Sequence, residues 1–266
     1  MYRALLLGFL FLGCNSTPPA LAPDAVDANL RWFWINGDSA DDATLIDAAG
    51  KLAVSGKADT RTTPLKGQMR ERLEAADLAS TGLTETDPST ARGLIIVNLF
   101  DCTLDKLQAI LIAQDQKSQY TDVYKSYDRR YTSDVDAFTG GSKNTLTWDV
   151  DVQAALPVDD VYTSLIRGGI RRVPAPADGP TKGPFLVTRT WLTAPATFSS
   201  TSTSYFKQDY QIEVFWEHSP GRIFHGYGMW RDIKAFNLTF EDNGFFNIVL
   251  DNLVAWDTKT AELCKK

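Results

Sequence analysis

The sequence predicts an α+β fold in which a curved antiparallel sheet grips a long C-terminal helix. Between residues 123 and 240, short segments of alternating apolar and polar residues follow one another with turn-sized gaps, which is typical of an antiparallel meander. After Asp242 or Asn243, either of which can cap a helix, the spacing becomes helical. The predicted apolar stripe is Phe246, Val249, Leu250, Leu253, Trp256 and Leu263, and the predicted polar side is Asp251, Asp257, Lys259, Glu262 and Lys265.

Length and composition limit the class of protein. The 266 residues suit one large domain or one domain with an extension, and 44% hydrophobic and 11% aromatic residues supply a core. A net charge of −6 and a pI near 5.0 argue against nucleic-acid binding, because no basic stripe can neutralise phosphates. The densest basic run, Arg167, Arg171 and Arg172, is interpreted as a solvated hairpin end rather than an anion site.

The N-terminus predicts export. The apolar run from Ala4 to Leu12 is too short to span a membrane but fits the core of a secretory signal. Its ending, Leu12-Gly13-Cys14, resembles a bacterial lipoprotein signal, in which the cysteine receives diacylglycerol; a plain signal peptide is the alternative. We therefore expect residues 1–14 to be a signal with lipidation at Cys14, and 15–28 to be a flexible tether. This predicts anchoring at the cell envelope, on the periplasmic side of the outer membrane.

Two cysteines remain if Cys14 carries lipid. Cys102 and Cys264 form an even remainder, which favours a disulfide in an oxidising compartment. The alternative is two unrelated buried thiols.

Residues 29–92 are expected to form a helical extension. The apolar cluster Arg31–Ile35 is interpreted as an anchor onto the main domain. A first helix is predicted over Asp41–Val54, and Gly56 ends it. A second helix is predicted from Pro64, with apolar positions at Leu65, Met69, Leu73 and Ala76.

The main domain is expected to span 93–266. A buried strand over Leu94–Phe100 precedes a helix capped by Asp101 or Thr103, and a second short helix can follow before Tyr120. Next comes a strand containing Tyr127 and Tyr131 that ends near Gly140-Gly141. Further strands are predicted over Thr145–Leu156, Val161–Ile166, Phe185–Leu192, Tyr210–Trp216, Arg222–Trp230 and Phe236–Phe240.

This order of elements resembles the START-like helix-grip superfamily of polyketide cyclases and lipid-transfer proteins. The resemblance is carried by segment 93–107, the paired strands at Trp148 and Tyr210, and the terminal helix. It implies a cavity between sheet and C-terminal helix that holds a lipid or another apolar molecule. It also implies that the end of the terminal helix, at Cys264, returns to the sheet rim near Cys102.

A curved sheet and one helix cannot interdigitate everywhere, so the enclosed side is either a cavity or filled by large side chains. The inward residues expected here are large, which also keeps open a filled core without ligand. Trp256 is one of these large inward residues. The predicted ligand-contacting residues are Trp148, Val150, Trp191, Tyr210, Ile212, Trp216, His225, Tyr227, Phe246 and Leu253.

Catalysis is the less favoured hypothesis. His225 and Glu213 on neighbouring strands could form an acid/base pair, although a hydrogen-bonded structural histidine is the simpler interpretation. The sequence contains no nucleophile elbow, phosphate loop or zinc-ligand spacing, so we predict no catalytic residues, no metal and no cofactor. Three hypotheses remain: a monomeric, membrane-anchored binder of an apolar ligand, an enzyme of the same fold, and a structural lipoprotein with a filled core.

Overall fold

The computed structural model describes residues 20–84, 86–155, 161–198 and 202–266. Cys14, the predicted signal and the start of the predicted tether lie outside these residues. The helices are α1 (Val26–Asn36), α2 (Asp42–Ser55), α3 (Leu104–Ile112), α4 (Gln116–Gln119), α5 (Val135–Thr139) and α6 (Asn243–Cys264), with 3₁₀ turns at Ala75–Thr81 and Pro88–Thr90. The strands are β1 (Leu65–Gln68), β2 (Arg92–Asp101), β3 (Tyr124–Tyr131), β4 (Thr145–Ala155), β5 (Val161–Val173), β6 (Phe185–Leu192), β7 (Thr197–Phe198), β8 (Tyr205–Ser219), β9 (Arg222–Ala235) and β10 (Leu238–Thr239).

The strands form one open antiparallel sheet in the order β1-β2-β9-β8-β6-β5-β4-β3, with β10 added to β9 and β7 to β5. The predicted α+β fold, a curved antiparallel sheet with a long C-terminal helix, is confirmed. Sequential strands β3 to β6 are neighbours, whereas β2 reaches the sheet beside β9. Strands β8 and β9 therefore lie in the middle of the sheet, and both of their faces are covered.

The two faces of the sheet carry different helices. Helix α6 packs over β2 and against α3, and we call this side the α6 face. Helices α1 and α2 pack on the other side, which we call the α1–α2 face. On β9, Phe224 and Trp230 point to the α1–α2 face, whereas Tyr227 and Met229 point to the α6 face. No helix in the described residues has an apolar stretch of membrane-spanning length.

The N-terminal helices are an integral second layer. The predicted anchoring cluster is confirmed, because its residues Trp32, Phe33 and Trp34 are buried in the core against the sheet. Glycines make this close approach possible: a Cβ built at Gly226 would lie 2.9 Å from a Leu52 methyl carbon. The close packing of α2 on the sheet therefore requires a residue without a side chain at this position of β9.

Charged groups also join α1 and α2 to the sheet. The guanidinium of Arg189, on β6, is buried over the ring of Trp34 at 4.3 Å and pairs with Asp38. Arg171, on β5, donates to the Asp42 carboxylate at 2.6 Å. Both arginines therefore fix the start of α2 and the turn before it.

Two predicted elements are wrong. The second helix expected from Pro64 is instead β1 and a 3₁₀ turn, since Leu65–Gln68 pair with the otherwise open edge of β2. The helical spacing of Leu65, Met69 and Leu73 is too short a pattern to outweigh that pairing. The strand expected to end near Gly140 stops at Tyr131, because Asp134 caps α5 by accepting from the Ala137 amide.

Helix α6 is fixed at its C-terminal end. The predicted disulfide between Cys102 and Cys264 is present, with the two Cα atoms 5.3 Å apart. The Lys106 ammonium adds a hydrogen bond to the Cys264 carbonyl at 2.8 Å. The disulfide joins the end of β2 to the last turn of α6, as expected from the resemblance.

We expect the double substitution Cys102→Ser/Cys264→Ser to lower the free energy of unfolding by up to about 5 kcal/mol, because the bond closes a loop with a sequence separation of 162. Denaturant unfolding of oxidised wild type and the double variant measures this difference. Reductant should destabilise the wild type and leave the variant unchanged. Two titratable thiols in native wild-type protein would contradict the prediction.

Candidate functional site

A row of polar side chains crosses the middle of the α6 face. Strand β8 alternates, so Tyr210 and Ile212 point to the α1–α2 face while Gln211 and Glu213 point toward α6. The register continues the row across strands, because Thr188 lies opposite Glu213 and Glu213 lies opposite Tyr227. Polar groups in this interior position need partners, since burial without hydrogen bonds costs free energy.

The centre of the row is His225. Its Nδ1 lies 2.8 Å from a carboxylate oxygen of Asp257, on α6, and the other oxygen of Asp257 accepts from the Asn98 amide at 2.8 Å. His225 is 3% exposed and Asp257 1%. This polar contact therefore ties α6 to β2 and β9 within an apolar interface.

Glu213 lies on the other side of the imidazole. Its Oε2 is 3.2 Å from Nε2 of His225, but the two atoms are not aligned for a hydrogen bond and Nε2 has no other partner in the described structure. Its Oε1 accepts from the Thr188 hydroxyl at 3.0 Å. The Glu213 side chain remains 16% exposed although it lies on a central strand beneath a helix. Solvent therefore reaches this carboxylate.

The charge state of His225 follows from these neighbours. Burial alone lowers the pKa of His225, but Asp257 and then Glu213 outweigh it and raise the pKa to about 9. The ring of Phe215 stacks on the imidazole at 4.2 Å and fixes its plane. At neutral pH the site therefore holds an imidazolium between two carboxylates.

A second polar group continues the row on β8 and β9. Arg231 donates two hydrogen bonds to Asp209, at 2.9 and 3.0 Å, and the two side chains form a bidentate ion pair. The Tyr227 hydroxyl donates to Gln211 at 2.9 Å, and Gln211 in turn donates to Asp209. Burial and the charge of Asp209 raise the pKa of Tyr227, so this phenol stays protonated.

Half-buried apolar side chains surround this polar row. The ring of Trp256 on α6 lies 6.2 Å from the His225 ring and stacks on Tyr120, whose hydroxyl is 2.8 Å from that of Thr260. We use the name α6 crevice for the partly exposed residues along the line where the sheet meets α6. Its floor is Thr190, Gln211 and Glu213, and its walls are Ile166, Leu253 and Trp256.

The predicted ligand-contacting residues divide between the two faces. Six lie on the α6 side: Trp148, Val150, His225, Tyr227, Phe246 and Leu253. The other four were expected to face α6, and this expectation is wrong because they point to the α1–α2 face. They are Trp191, Tyr210, Ile212 and Trp216. Sequence reasoning also placed Asp257 on the solvent side of the terminal helix, whereas it is buried against His225.

Sequence reasoning identified His225 and Glu213 but missed most of their polar partners. Asn98, Tyr120, Thr188 and Gln211 were not singled out, and Asp257 was misassigned. A signal existed in β8, where three polar residues alternate with apolar ones in a strand that lies in the centre of the sheet. Within the described residues, no three His, Cys, Asp or Glu side chains converge as ligands of a metal ion would.

No protein-family model and no curated protein matches this sequence. Solved structures with a similar fold include human STARD10, with 8% identity, 78% of this chain and 71% of that chain covered, and a TM-score of 0.46. Human StAR-related lipid transfer protein 5 covers 84% of this chain and 96% of its own at 6% identity and a TM-score of 0.46. The Zhui aromatase/cyclase of Streptomyces sp. R1128 covers 66% and 94% at 11% identity and a TM-score of 0.39. The expected START-like resemblance is thus found, and at these identities it describes the fold alone.

The raised pKa of His225 predicts a pH-dependent stability. Because the folded-state pKa of about 9 exceeds the unfolded value near 6.5, this histidine stabilises the fold fully below about pH 6.5, and the contribution is lost as the pH rises through about 9. We expect the free energy of unfolding of the wild type to fall by roughly 3 kcal/mol at most across that window. Denaturant unfolding at a series of pH values measures it.

His225→Gln should remove this alkaline loss of stability. His218→Gln is the matched control, since burial lowers the pKa of His218 and its titration affects stability at lower pH with the opposite sign. The assignment fails if His225→Gln and wild type lose the same stability between pH 6.5 and 9.

Proposed function

We propose that this protein binds a small amphiphilic molecule, with an apolar body and a polar end, in the α6 crevice. One observation carries the proposal: the carboxylate of Glu213 stays partly exposed in the middle of the sheet–helix interface, whereas its neighbours His225 and Asp257 are buried. A ligand body would contact Ile166, Leu253 and Trp256, and its polar end would meet the row from Gln211 to His225. An interior that combines apolar walls with a few fixed polar groups is typical of small-molecule sites.

The His225–Glu213 pair bears on the enzyme alternative. The two side chains do approach each other, but a histidine with a pKa of about 9 is protonated at neutral pH and cannot accept a proton as a general base. Its Nδ1 is also committed to the buried Asp257. Binding therefore suits this arrangement better than acid/base catalysis.

The filled-core alternative also has a specific observation in its favour. Two open depressions, of about 590 and 440 Å³, lie on the surface at α2 and at the α3–β8 end of the sheet, away from the α6 crevice. Near β3, moreover, Trp148 is packed beneath Arg129, whose guanidinium lies 4.5 Å from the ring. A structural protein with a narrow, water-filled gap would show the same features and would bind no apolar probe.

Neighbouring residues on β5 provide a matched pair of variants. Ile166 points toward the α6 crevice, whereas Leu165 is exposed. We expect Ile166→Trp to weaken binding of the neutral fluorescent probe N-phenyl-1-naphthylamine at least about tenfold by filling the crevice, and Leu165→Trp to change it by less than about twofold. Fluorescence titration measures both.

Thermal unfolding of both variants separates lost binding from lost folding. Equal probe affinity in wild type and Ile166→Trp would contradict binding in the crevice. A folded wild type that binds no probe, and carries no small molecule in native mass spectrometry, would favour the filled core.

The proposed setting is a lipid-anchored protein of the cell envelope, facing the periplasm. The support is the sequence ending in Leu12-Gly13-Cys14, followed by a Pro/Ser/Thr-rich stretch. A disulfide between Cys102 and Cys264 fits an oxidising compartment. The protein would act there as a monomer on an apolar ligand.

Mass spectrometry of protein from a bacterial envelope tests this setting. We expect the mature N-terminus at Cys14 with a diacylglycerol modification, and Cys14→Ser should release the protein from the membrane fraction. An unmodified N-terminus at another residue would contradict the anchor.

A further inference from the structure

The charges around Glu213 indicate which chemical groups the polar end of the ligand can carry. This inference rests on the proposed function and extends it. The α6 crevice holds an unequal set of charges. His225 is flanked by Asp257 at 2.8 Å and Glu213 at 3.2 Å, whereas Arg231 is matched by Asp209 alone. Among the described residues of this polar row, three carboxylates therefore face two cations.

The excess negative charge is located at Glu213. Asp257 is closed off, because one of its oxygens faces His225 Nδ1, the other accepts from Asn98, and the side chain is 1% exposed. Among the described residues, Glu213 accepts one hydrogen bond, from Thr188 to Oε1, and its Oε2 faces His225 Nε2 at 3.2 Å. It is also more exposed than Asp257 or His225, at 16%. This carboxylate oxygen, which is more exposed than Asp257, can thus accept a further hydrogen bond.

A second observation points to a ligand at this place. His225 Nε2 is buried, directed toward Glu213 and without a hydrogen-bond partner. A buried polar atom without a hydrogen-bond partner raises the free energy of the folded state. The same holds for a carboxylate whose neighbouring donor is not aligned for a hydrogen bond. A ligand group that donates a hydrogen bond to Glu213 Oε2 would satisfy the remaining acceptor capacity of this carboxylate.

We propose that the α6 crevice selects amphiphiles whose polar end is a hydrogen-bond donor, an amine or a hydroxyl, and rejects those that end in a carboxylate or phosphate. An ammonium group would balance the excess carboxylate. An anionic group would place a further negative charge beside Glu213 in a low-dielectric interior, where like charges repel strongly. Its oxygen atoms would also leave Oε2 without a donor.

Three probes with the same twelve-carbon chain test this at pH 7: dodecylamine, dodecanol and dodecanoate, each kept below its micelle concentration. Displacement of N-phenyl-1-naphthylamine from the full-length protein gives the three affinities. We expect the amine and the alcohol to bind at least about tenfold more tightly than dodecanoate. A smaller preference over the carboxylate would overturn the inference.

Glu213→Gln assigns the selectivity to this residue. The substitution leaves one imidazolium and one carboxylate, so we expect the preference for amine over carboxylate to fall at least about fivefold. Asp251→Asn is the matched control, because it removes one carboxylate from an exposed position of α6 that pairs with Lys66, and it should leave the preference unchanged. An unchanged preference in Glu213→Gln would also overturn the inference.

The outcomes separate this inference from the proposed function. If neither N-phenyl-1-naphthylamine nor any of the three amphiphiles binds, the proposed function fails. If all three amphiphiles bind equally, the crevice is a binding site and only the headgroup selectivity fails. The wild-type comparison needs no variant, so it stands even if Glu213→Gln does not fold.

Discussion

The contact between Asp257 and His225 is the constraint on which the α6 face depends. A carboxylate that is 1% exposed in the middle of a helix must be paired, and among the described residues His225 and Asn98 provide its partners, each at 2.8 Å. This fixes both the rotation of α6 about its axis and its position along β2 and β9. With the disulfide at the far end, the helix is held at two points. The partly exposed position of Glu213 between α6 and the middle strands then follows from the fold.

The elements of this protein could largely be read from its sequence, whereas the direction of its side chains could not. The terminal helix, the strand at Phe185–Leu192 and the disulfide follow from spacing, composition and the expected return of the chain. The two faces of β8 are a different problem. Alternation separates Tyr210 and Trp216 from Gln211 and Glu213, but it does not say which set meets which helix. Because α1 and α2 cover the other face of the sheet, Tyr210 and Trp216 pack there against the apolar side chains of these helices.

The misassignment of Asp257 has the same physical origin. A charged residue on an amphipathic helix normally faces water, and this one would obey the rule if His225 were not opposite. Only the packing of α6 on β9 brings His225 and Asp257, which are distant in sequence, within hydrogen-bond distance of each other. Buried polar groups that break a local pattern are where a sequence departs from pure core packing, and these departures mark the candidate site.

The residues that begin the described chain are fixed to α1 and α2. The indole of Trp32 donates to the Ala20 carbonyl at 2.6 Å, Lys51 to that of Ala22 at 2.7 Å, and Asn29 to that of Pro23 at 3.0 Å. From Cys14 to Ala20 a fully extended chain spans at most about 20 Å. A lipid on Cys14 would therefore hold the domain against the bilayer surface by the side opposite α6. With the proposed anchor, the partly exposed Glu213 on the α6 face would point away from the leaflet that carries the lipid.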